Sequence, residues 1–226
     1  MLNNTNSTKK SITIISIVIS VALPFLAILS SYLFKQSEFT SETKFFISRI
    51  CIWFSLLLLF IYNYKVEKTP FLLWTEKQYS FSPFVVAVFE TFLKLFIAVI
   101  IVSSIVLLFK VKVESVVLNK ALALFKNNYF LMFFTCVTAG ITEELFFRGY
   151  LLPRLALVIK NTKLAIILSS LLFGLMHYGY GTLVQMIGPA VIGLVLGWQY
   201  QKYQSIKMVI LCHFLWDLLL LSIKTN

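Results

Sequence analysis

The stretch EELFFR, residues 143–148, puts two adjacent carboxylates and an arginine inside a run that is otherwise apolar over residues 129–152. Each charged side chain near the centre of a membrane span costs about 2.5–3.5 kcal/mol on a lenient insertion scale, and packing alone does not require that cost. Glu144 and Arg148 are four residues apart and share a helix face, which predicts an ion pair. Glu143 lies about 100° around the helix from Glu144, so it needs another polar partner.

The composition of the chain indicates an integral membrane protein. Of its 226 residues, 59% are hydrophobic and 13% are charged, which is too apolar for a soluble domain of this size. The formal net charge is +11, but the lysines are scattered at the ends of apolar runs, as they are beside membrane spans. Nucleic-acid binding is therefore not expected. The three cysteines lie within apolar runs without CxxC spacing, so no disulfide framework is predicted.

Seven apolar runs predict seven membrane spans, over residues 12–34, 45–62, 83–109, 129–147, 163–177, 183–200 and 208–223. The segment 110–128 is amphipathic and carries four lysines, so it is predicted to form a linker helix at the membrane surface. An eighth helix, amphipathic or re-entrant, is expected from this segment or from residues 66–82. The predicted fold class is all-α: a polytopic membrane helical bundle of about seven to eight helices, with multi-pass insertion in the cell membrane.

Two features of these spans concern their packing. Arg49 lies close enough to one end of the second span to extend its charge toward the membrane surface. Gly193 and Gly197 in the sixth span have the small-xxx-small spacing that lets two helices approach closely. We therefore expect a close helix–helix contact at these two glycines.

The ionisable residues of the C-terminal half indicate a shared polar site. The chain has only two histidines, His177 and His213, and one aspartate, Asp217, and all three fall inside apolar helices. His213 and Asp217 are four residues apart and share a helix face. With Glu143 and Glu144 they give five ionisable groups on three separate spans. Such groups are expected to meet, because each then solvates the others.

Composition also excludes several kinds of intramembrane chemistry. An aspartyl protease needs two aspartates that share a proton, and this chain has one. The sequence contains neither the HExxH zinc helix nor the GxSxG nucleophile motif. What remains is a carboxylate with two imidazoles. These groups can activate water directly, with Glu as the general base and His stabilising the oxyanion, or they can hold a metal that does so.

Three ordered motifs resemble those of the CPBP family of membrane proteins: Glu143-Glu144-x-x-x-Arg148, Phe173-x-x-x-His177 and His213-x-x-x-Asp217. This family contains the CAAX prenyl endopeptidases and the bacteriocin-processing or immunity (Abi-type) proteins. The resemblance covers residues 129–226 and implies that they form the catalytic core. Residues 1–128 are then the N-terminal spans and the amphipathic linker.

The resemblance implies an intramembrane endopeptidase in which Glu143 is the catalytic glutamate and deprotonates a water molecule. His177 and His213 would orient that water or stabilise the tetrahedral oxyanion. Asp217 would fix the imidazole tautomer of His213 or bind a metal; the prenyl endopeptidases often have Asn at this position. Glu144 and Arg148 would form a structural pair beside the site.

Several alternatives stay open at the level of sequence. No cofactor is required, but zinc is an alternative, with His177, His213 and either Glu143 or Asp217 as its three protein ligands. The expected partners are membrane lipids and a peptide or protein substrate, which need not be prenylated. The main rival function is a non-catalytic bacteriocin-immunity or peptide-binding membrane protein. A proton-coupled transporter is less favoured, because the chain shows no internal repeat.

Overall fold

A computed structural model describes residues 2–34 and 36–225 of the chain, and the side chains of residues 2–9 and 30–32 are not described. Met1 and Asn226, the outer ends of the predicted divisions 1–128 and 129–226, therefore lie outside the described residues. All regular secondary structure in the described part is helical, which confirms the predicted all-α polytopic bundle.

The helices follow one another in the order α1 (Leu2–Leu33), α2 (Ser41–Tyr62), α3 (Phe81–Leu108), α4 (Val116–Lys126), α5 (Tyr129–Thr138), α6 (Leu152–Ile159), α7 (Thr162–Met176), α8 (Val184–Tyr203) and α9 (Ile206–Thr225). Short π-helical segments follow α2, at Asn63–Glu67, and join α5 to α6, at Ala139–Glu143 and Leu145–Leu151. A single 3₁₀ turn, His177–Tyr180, ends α7.

Within the described residues, six helical segments are long and apolar enough to cross a membrane: Lys10–Leu29, Ser41–Glu67, Phe81–Leu108, Tyr129–Ile159, Thr162–Tyr180 and Ile206–Thr225. The sequence predicted a seventh span over residues 183–200. A helix of 20 residues does form there, as α8, but it is less apolar than the six spans, since Gln185, Pro189 and Gln199 dilute its apolar residues. The six apolar segments found within the described residues indicate a multi-pass membrane protein.

Polar side chains set where several helices begin. Ser115, Asn128 and Asn161 each accept a hydrogen bond from the backbone N–H three residues later, at 2.9–3.1 Å. This is N-capping, which satisfies a donor that the first helical turn leaves free. The Ser115 cap confirms that part of the segment 110–128 becomes a helix, α4, whereas residues 68–80 are irregular.

The span Tyr129–Ile159 lies at the centre of the bundle. In its most apolar window 61% of the residues are buried, against 11% for the window in α3. Helix α7 packs closely on α8, where a Cβ atom at Gly197 would lie 3.1 Å from a side-chain atom of Ile166. The close contact predicted at Gly193 and Gly197 is therefore confirmed, and Glu144, Arg148 and Arg154 of the central span are buried.

Candidate active site

Two π-helical segments position the two glutamates, where the sequence predicted an ordinary helix. Glu143 ends the first segment, and Glu144 separates it from the second, which begins at Leu145. Wide turns of this kind inside α-helices are frequent at functional sites. At Gly140 an added Cβ would lie 2.9 Å from the Cβ of Phe214, so the backbone of α9 lies against this glycine. That close approach brings the neighbouring His213 to the glutamates.

Glu144 is completely buried and joins three elements of the site. Its Oε1 accepts a hydrogen bond from Arg148 Nη1 at 2.6 Å, which confirms the predicted ion pair. The same oxygen lies 2.7 Å from His213 Nδ1 on α9. A carboxylate only accepts hydrogen bonds, so Nδ1 carries the hydrogen. Glu144 therefore orients the imidazole of His213, a role that the sequence analysis assigned to Asp217.

The guanidinium of Arg148 lies against the ring of Phe173 and beside Gly193 of α8. Its Cζ is 4.5 Å from the ring centroid of Phe173, within the range of a cation–π contact. A Cβ atom at Gly193 would lie 3.1 Å from Arg148 Nη2. Gly193 thus provides the space for the guanidinium as well as a close contact between α7 and α8.

The second nitrogen of His213 faces two further carboxylates. Its Nε2 is 3.5 Å from Asp217 Oδ2 and 3.9 Å from Glu143 Oε2. The imidazole is 5% exposed, whereas the side chains of Glu143 and Asp217 are 15% and 28% exposed. Three carboxylates therefore surround one imidazole. We refer to Glu143, Glu144, Arg148, His213 and Asp217 as the ionic cluster.

His177 lies at the end of α7, outside the ionic cluster. Its Nδ1 is 3.0 Å from the backbone oxygen of Phe173. Because a carbonyl only accepts, Nδ1 carries a hydrogen, which leaves Nε2 as the other functional atom of the ring. The imidazole stacks on Tyr180 with ring centroids 5.9 Å apart and planes inclined by 21°. The carbonyl of Tyr180 is in turn held by the hydroxyl of Ser115 at 2.6 Å.

A cavity of about 410 Å³ is lined both by Glu143 of the ionic cluster and by His177. Its wall includes Glu143, His177 and Tyr180 together with residues of α1, α2 and α4, and most of it is apolar. His213 and Asp217 are not part of the wall. The structure therefore places two of the four predicted catalytic side chains on the cavity and the other two beside Glu143. Arg49, predicted to extend its charge toward the membrane surface, lines this cavity.

Residues 125–219 match the family model for type II CAAX prenyl endopeptidases, Rce1-like. This match supports membership of the CPBP family. It begins in α4, ends in α9 and contains the whole ionic cluster and His177. A search of the curated proteins found no match, and neither did a search of the solved structures. The family match extends over the three motifs, while Arg49 and the helices before α4 lie outside it.

The described side chains of the matched segment are not arranged as a metal site. Among the described residues, no group of three or more His, Cys, Asp and Glu side chains is arranged to hold an ion. The zinc ligand set suggested by the sequence would therefore have to assemble by movement of these side chains.

Two cavity residues, Arg49 and Tyr180, were missed as site residues by sequence reasoning. Neither belongs to a motif, and helical periodicity does not show which neighbouring helix a side chain meets. For Arg49 one signal was available: it is a charge inside an apolar run, eight residues into α2.

Proposed function

We propose that the chain is an intramembrane endopeptidase in which Glu143 activates a water molecule for attack on a peptide bond. One observation carries this proposal: among the described residues that line the cavity, Glu143 is the only carboxylate, and the imidazole of His177 lines the same cavity. A carboxylate and an imidazole on one water-sized space are the groups that general-base hydrolysis needs. Membership of a protease family supports the same class of reaction.

In the proposed mechanism Glu143 accepts a proton from the water, and the water oxygen bonds to the carbonyl carbon of the substrate. His177 holds a hydrogen on Nδ1, and in this mechanism it acts as the neutral ring, whose Nε2 accepts the second hydrogen of the water and orients it. The C–N bond then breaks, and the proton passes from Glu143 to the leaving nitrogen. Every proton that is removed is thus returned without an external group.

His213 and Asp217 act on Glu143 from outside the cavity. Both ring nitrogens of His213 face carboxylate oxygens, Nδ1 toward Glu144 at 2.7 Å and Nε2 toward Asp217 at 3.5 Å. A doubly protonated ring fits these surroundings. Its positive charge, 3.9 Å from Glu143 Oε2, holds the carboxylate in place between proton transfers.

The apolar wall of the cavity suits a hydrophobic peptide segment presented from the membrane. The substrate is a peptide or a protein, and nothing in the cavity demands a prenyl group. The site of action is the cell membrane, with surrounding lipids as the other partner.

The test is a comparison of purified full-length protein with two glutamate variants on a peptide library in detergent. Glu143→Gln keeps the shape but removes the base, so turnover should fall by about 10²–10⁴-fold, the usual contribution of a general base. Glu114→Gln, which changes an exposed glutamate outside the cavity, is the matched control and should cleave like the wild type. Near-normal turnover by the Glu143→Gln protein, with an unchanged unfolding temperature, would show that Glu143 is not the base. Peptide binding without cleavage by the wild type would favour the non-catalytic immunity function.

A further inference from the structure

Arg49 differs from the other arginines of the chain. The chain has three, and two of them are ion-paired: Arg148 with Glu144 at 2.6 Å and Arg154 with Glu67 at 2.9 Å. Within the described residues no carboxylate lies within 4.0 Å of the Arg49 guanidinium. Its contacts are a hydrogen bond to Ser48 Oγ at 3.3 Å and the ring of Phe45, 4.6 Å from Cζ.

The position of Arg49 makes this lack of a partner costly. It lies eight residues after the start of α2, which is about 12 Å along the helix axis. It is half-buried and lines the cavity together with Glu143 and His177. A cation inside a membrane span normally pairs with a carboxylate or faces a functional pathway.

The net charge of the cavity wall is positive, like that of Arg49. Its described residues include the cations Arg49 and Lys120 but only one carboxylate, Glu143. That carboxylate lies 3.9 Å from His213 on the other side. The remaining wall is largely apolar, so the unbalanced positive charge acts in a medium of low dielectric constant. Such a cavity selects an occupant that is apolar and carries a negative charge.

We propose that Arg49 binds a carboxylate of the peptide substrate and thereby determines which peptide bond reaches Glu143. The proposal rests on the proposed endopeptidase function and names a specificity-determining residue in α2, outside the segment 125–219 that matches the family. A guanidinium is suited to this task, because its planar fork forms two parallel hydrogen bonds to one carboxylate. The carboxylate is the C-terminus of the substrate or an acidic side chain beside the scissile bond.

The phosphate of an anionic phospholipid would also fit a guanidinium. The peptide is the better occupant, because Arg49 lines the same cavity as Glu143 and His177. A lipid held there would occupy the space that the scissile bond needs. The experiment must therefore distinguish a peptide carboxylate from a lipid phosphate as the anion that Arg49 binds.

The experiment compares three peptides of one sequence that the wild type cleaves: one with a free C-terminal carboxylate, one amidated, and one amidated with a glutamate beside the cleaved bond. Values of kcat/KM are measured in phosphatidylcholine nanodiscs. The wild type should prefer a carboxylate-bearing peptide over the uncharged one by about tenfold to a hundredfold, as expected for a hydrogen-bonded charge pair. The peptide that is preferred identifies the source of the carboxylate.

Variants then assign that preference to a residue. In Arg49→Gln the ratio of kcat/KM between charged and uncharged peptides should fall to about one, and in Arg49→Lys it should be partly retained. Lys112→Gln removes the same charge from an exposed position outside the cavity and should keep the full ratio. An equal loss on all three peptides in Arg49→Gln would mean a purely structural role and would overturn the proposal. Loss of the wild-type preference in phosphatidylglycerol nanodiscs would also overturn it and assign the anion to lipid.

A binding measurement separates this proposal from the endopeptidase function. Fluorescence anisotropy with the Glu143→Gln protein reports affinity for the same three peptides without cleavage. If the wild type cleaves the peptides with no charge preference, in turnover or in binding, the endopeptidase function stands and the proposed role of Arg49 fails. If the wild type cleaves none of the peptides, while the charged peptide binds more tightly in an Arg49-dependent way, the carboxylate-binding role of Arg49 stands and the endopeptidase function fails.

Discussion

Glu144 uses one oxygen for two hydrogen bonds, and its other oxygen has none. Oε1 accepts from Arg148 and His213, whereas Oε2 is buried without a partner among the described residues. A carboxylate that shares one oxygen between a guanidinium and an imidazole fixes both side chains at once. Glu144 is therefore the residue that connects the stability of the fold to the geometry of the site.

This arrangement predicts different consequences for the two adjacent glutamates. Removing one partner of a buried ion pair costs about 3–5 kcal/mol, because the other charge remains buried without compensation. Glu144→Gln should therefore lower the free energy of unfolding by an amount of this order and should also reduce turnover, since His213 loses its anchor. Glu143→Gln should reduce turnover with a much smaller change in stability. Denaturant unfolding in detergent, followed by tryptophan fluorescence, measures both. Equal stability losses in the two variants would contradict the assignment.

One of the two contacts of Glu144 could be predicted from the sequence. The spacing of Glu144 and Arg148 predicted their ion pair, because residues four apart meet on a helix. It did not predict that Glu144 also holds His213, because periodicity places a residue on a face of its own helix and not against a particular neighbour. The capacity of a carboxylate to accept several hydrogen bonds was the one signal for a second partner.

At the scale of elements, the irregular segment between α5 and α6 determines how close α9 can approach. The helix itself was predictable from its apolar run. Its π-helical turns were not, since no proline lies within Ala139–Glu143 or Leu145–Leu151. The close approach of α9 requires a glycine at position 140, because a Cβ there would lie 2.9–3.1 Å from the Cβ, N and Cα of Phe214.

Two glycine substitutions should therefore change stability in opposite directions. Gly140→Ala forces α9 away from the glutamates and should cost about 1–3 kcal/mol, as overpacking of a tight core does. Turnover should fall as well, because His213 moves with α9. At Gly188 a new Cβ would meet no described atom within 4 Å, so Gly188→Ala should stabilise α8 by up to about 1 kcal/mol. Thermal unfolding of both variants gives the signs. A Gly140→Ala protein as stable and active as Gly188→Ala would show that the close approach is not needed.

At the scale of the whole molecule, composition predicted the membrane class and the all-α bundle but not its internal arrangement. Residues 1–128 and 129–226 were separated on the basis of motifs. In the structure, polar contacts cross this boundary: Trp53 Nε1 donates to Thr138 Oγ1 at 3.0 Å, and Glu76 accepts from the backbone N–H of Ile206 at 2.8 Å. Contacts between residues so far apart in sequence leave no periodic signal.

The strongest of these contacts is a buried ion pair between Glu67 and Arg154. The guanidinium is 0% exposed, and Arg154 Nε and Nη2 both donate to the carboxylate at 2.9–3.1 Å. Arg154 Nη2 also donates to Asn63 Oδ1 at 2.9 Å. The C-terminal segment thus contains a buried cation whose counterion and further acceptors come from the first 128 residues.

We therefore predict that residues 129–226 do not fold when expressed alone and that co-expression with residues 1–128 restores a stable complex. Glu67→Gln in the N-terminal fragment should weaken the complex strongly, since it leaves Arg154 buried without its counterion. Glu38→Gln, which removes an exposed carboxylate from the same fragment, should not. Co-purification of differently tagged fragments, with peptide cleavage as a second readout, measures the effect. Replacing both partners by leucine should recover much of the association, because an apolar pair leaves no unpaired charge. A cooperative thermal transition and activity from residues 129–226 alone would contradict this account.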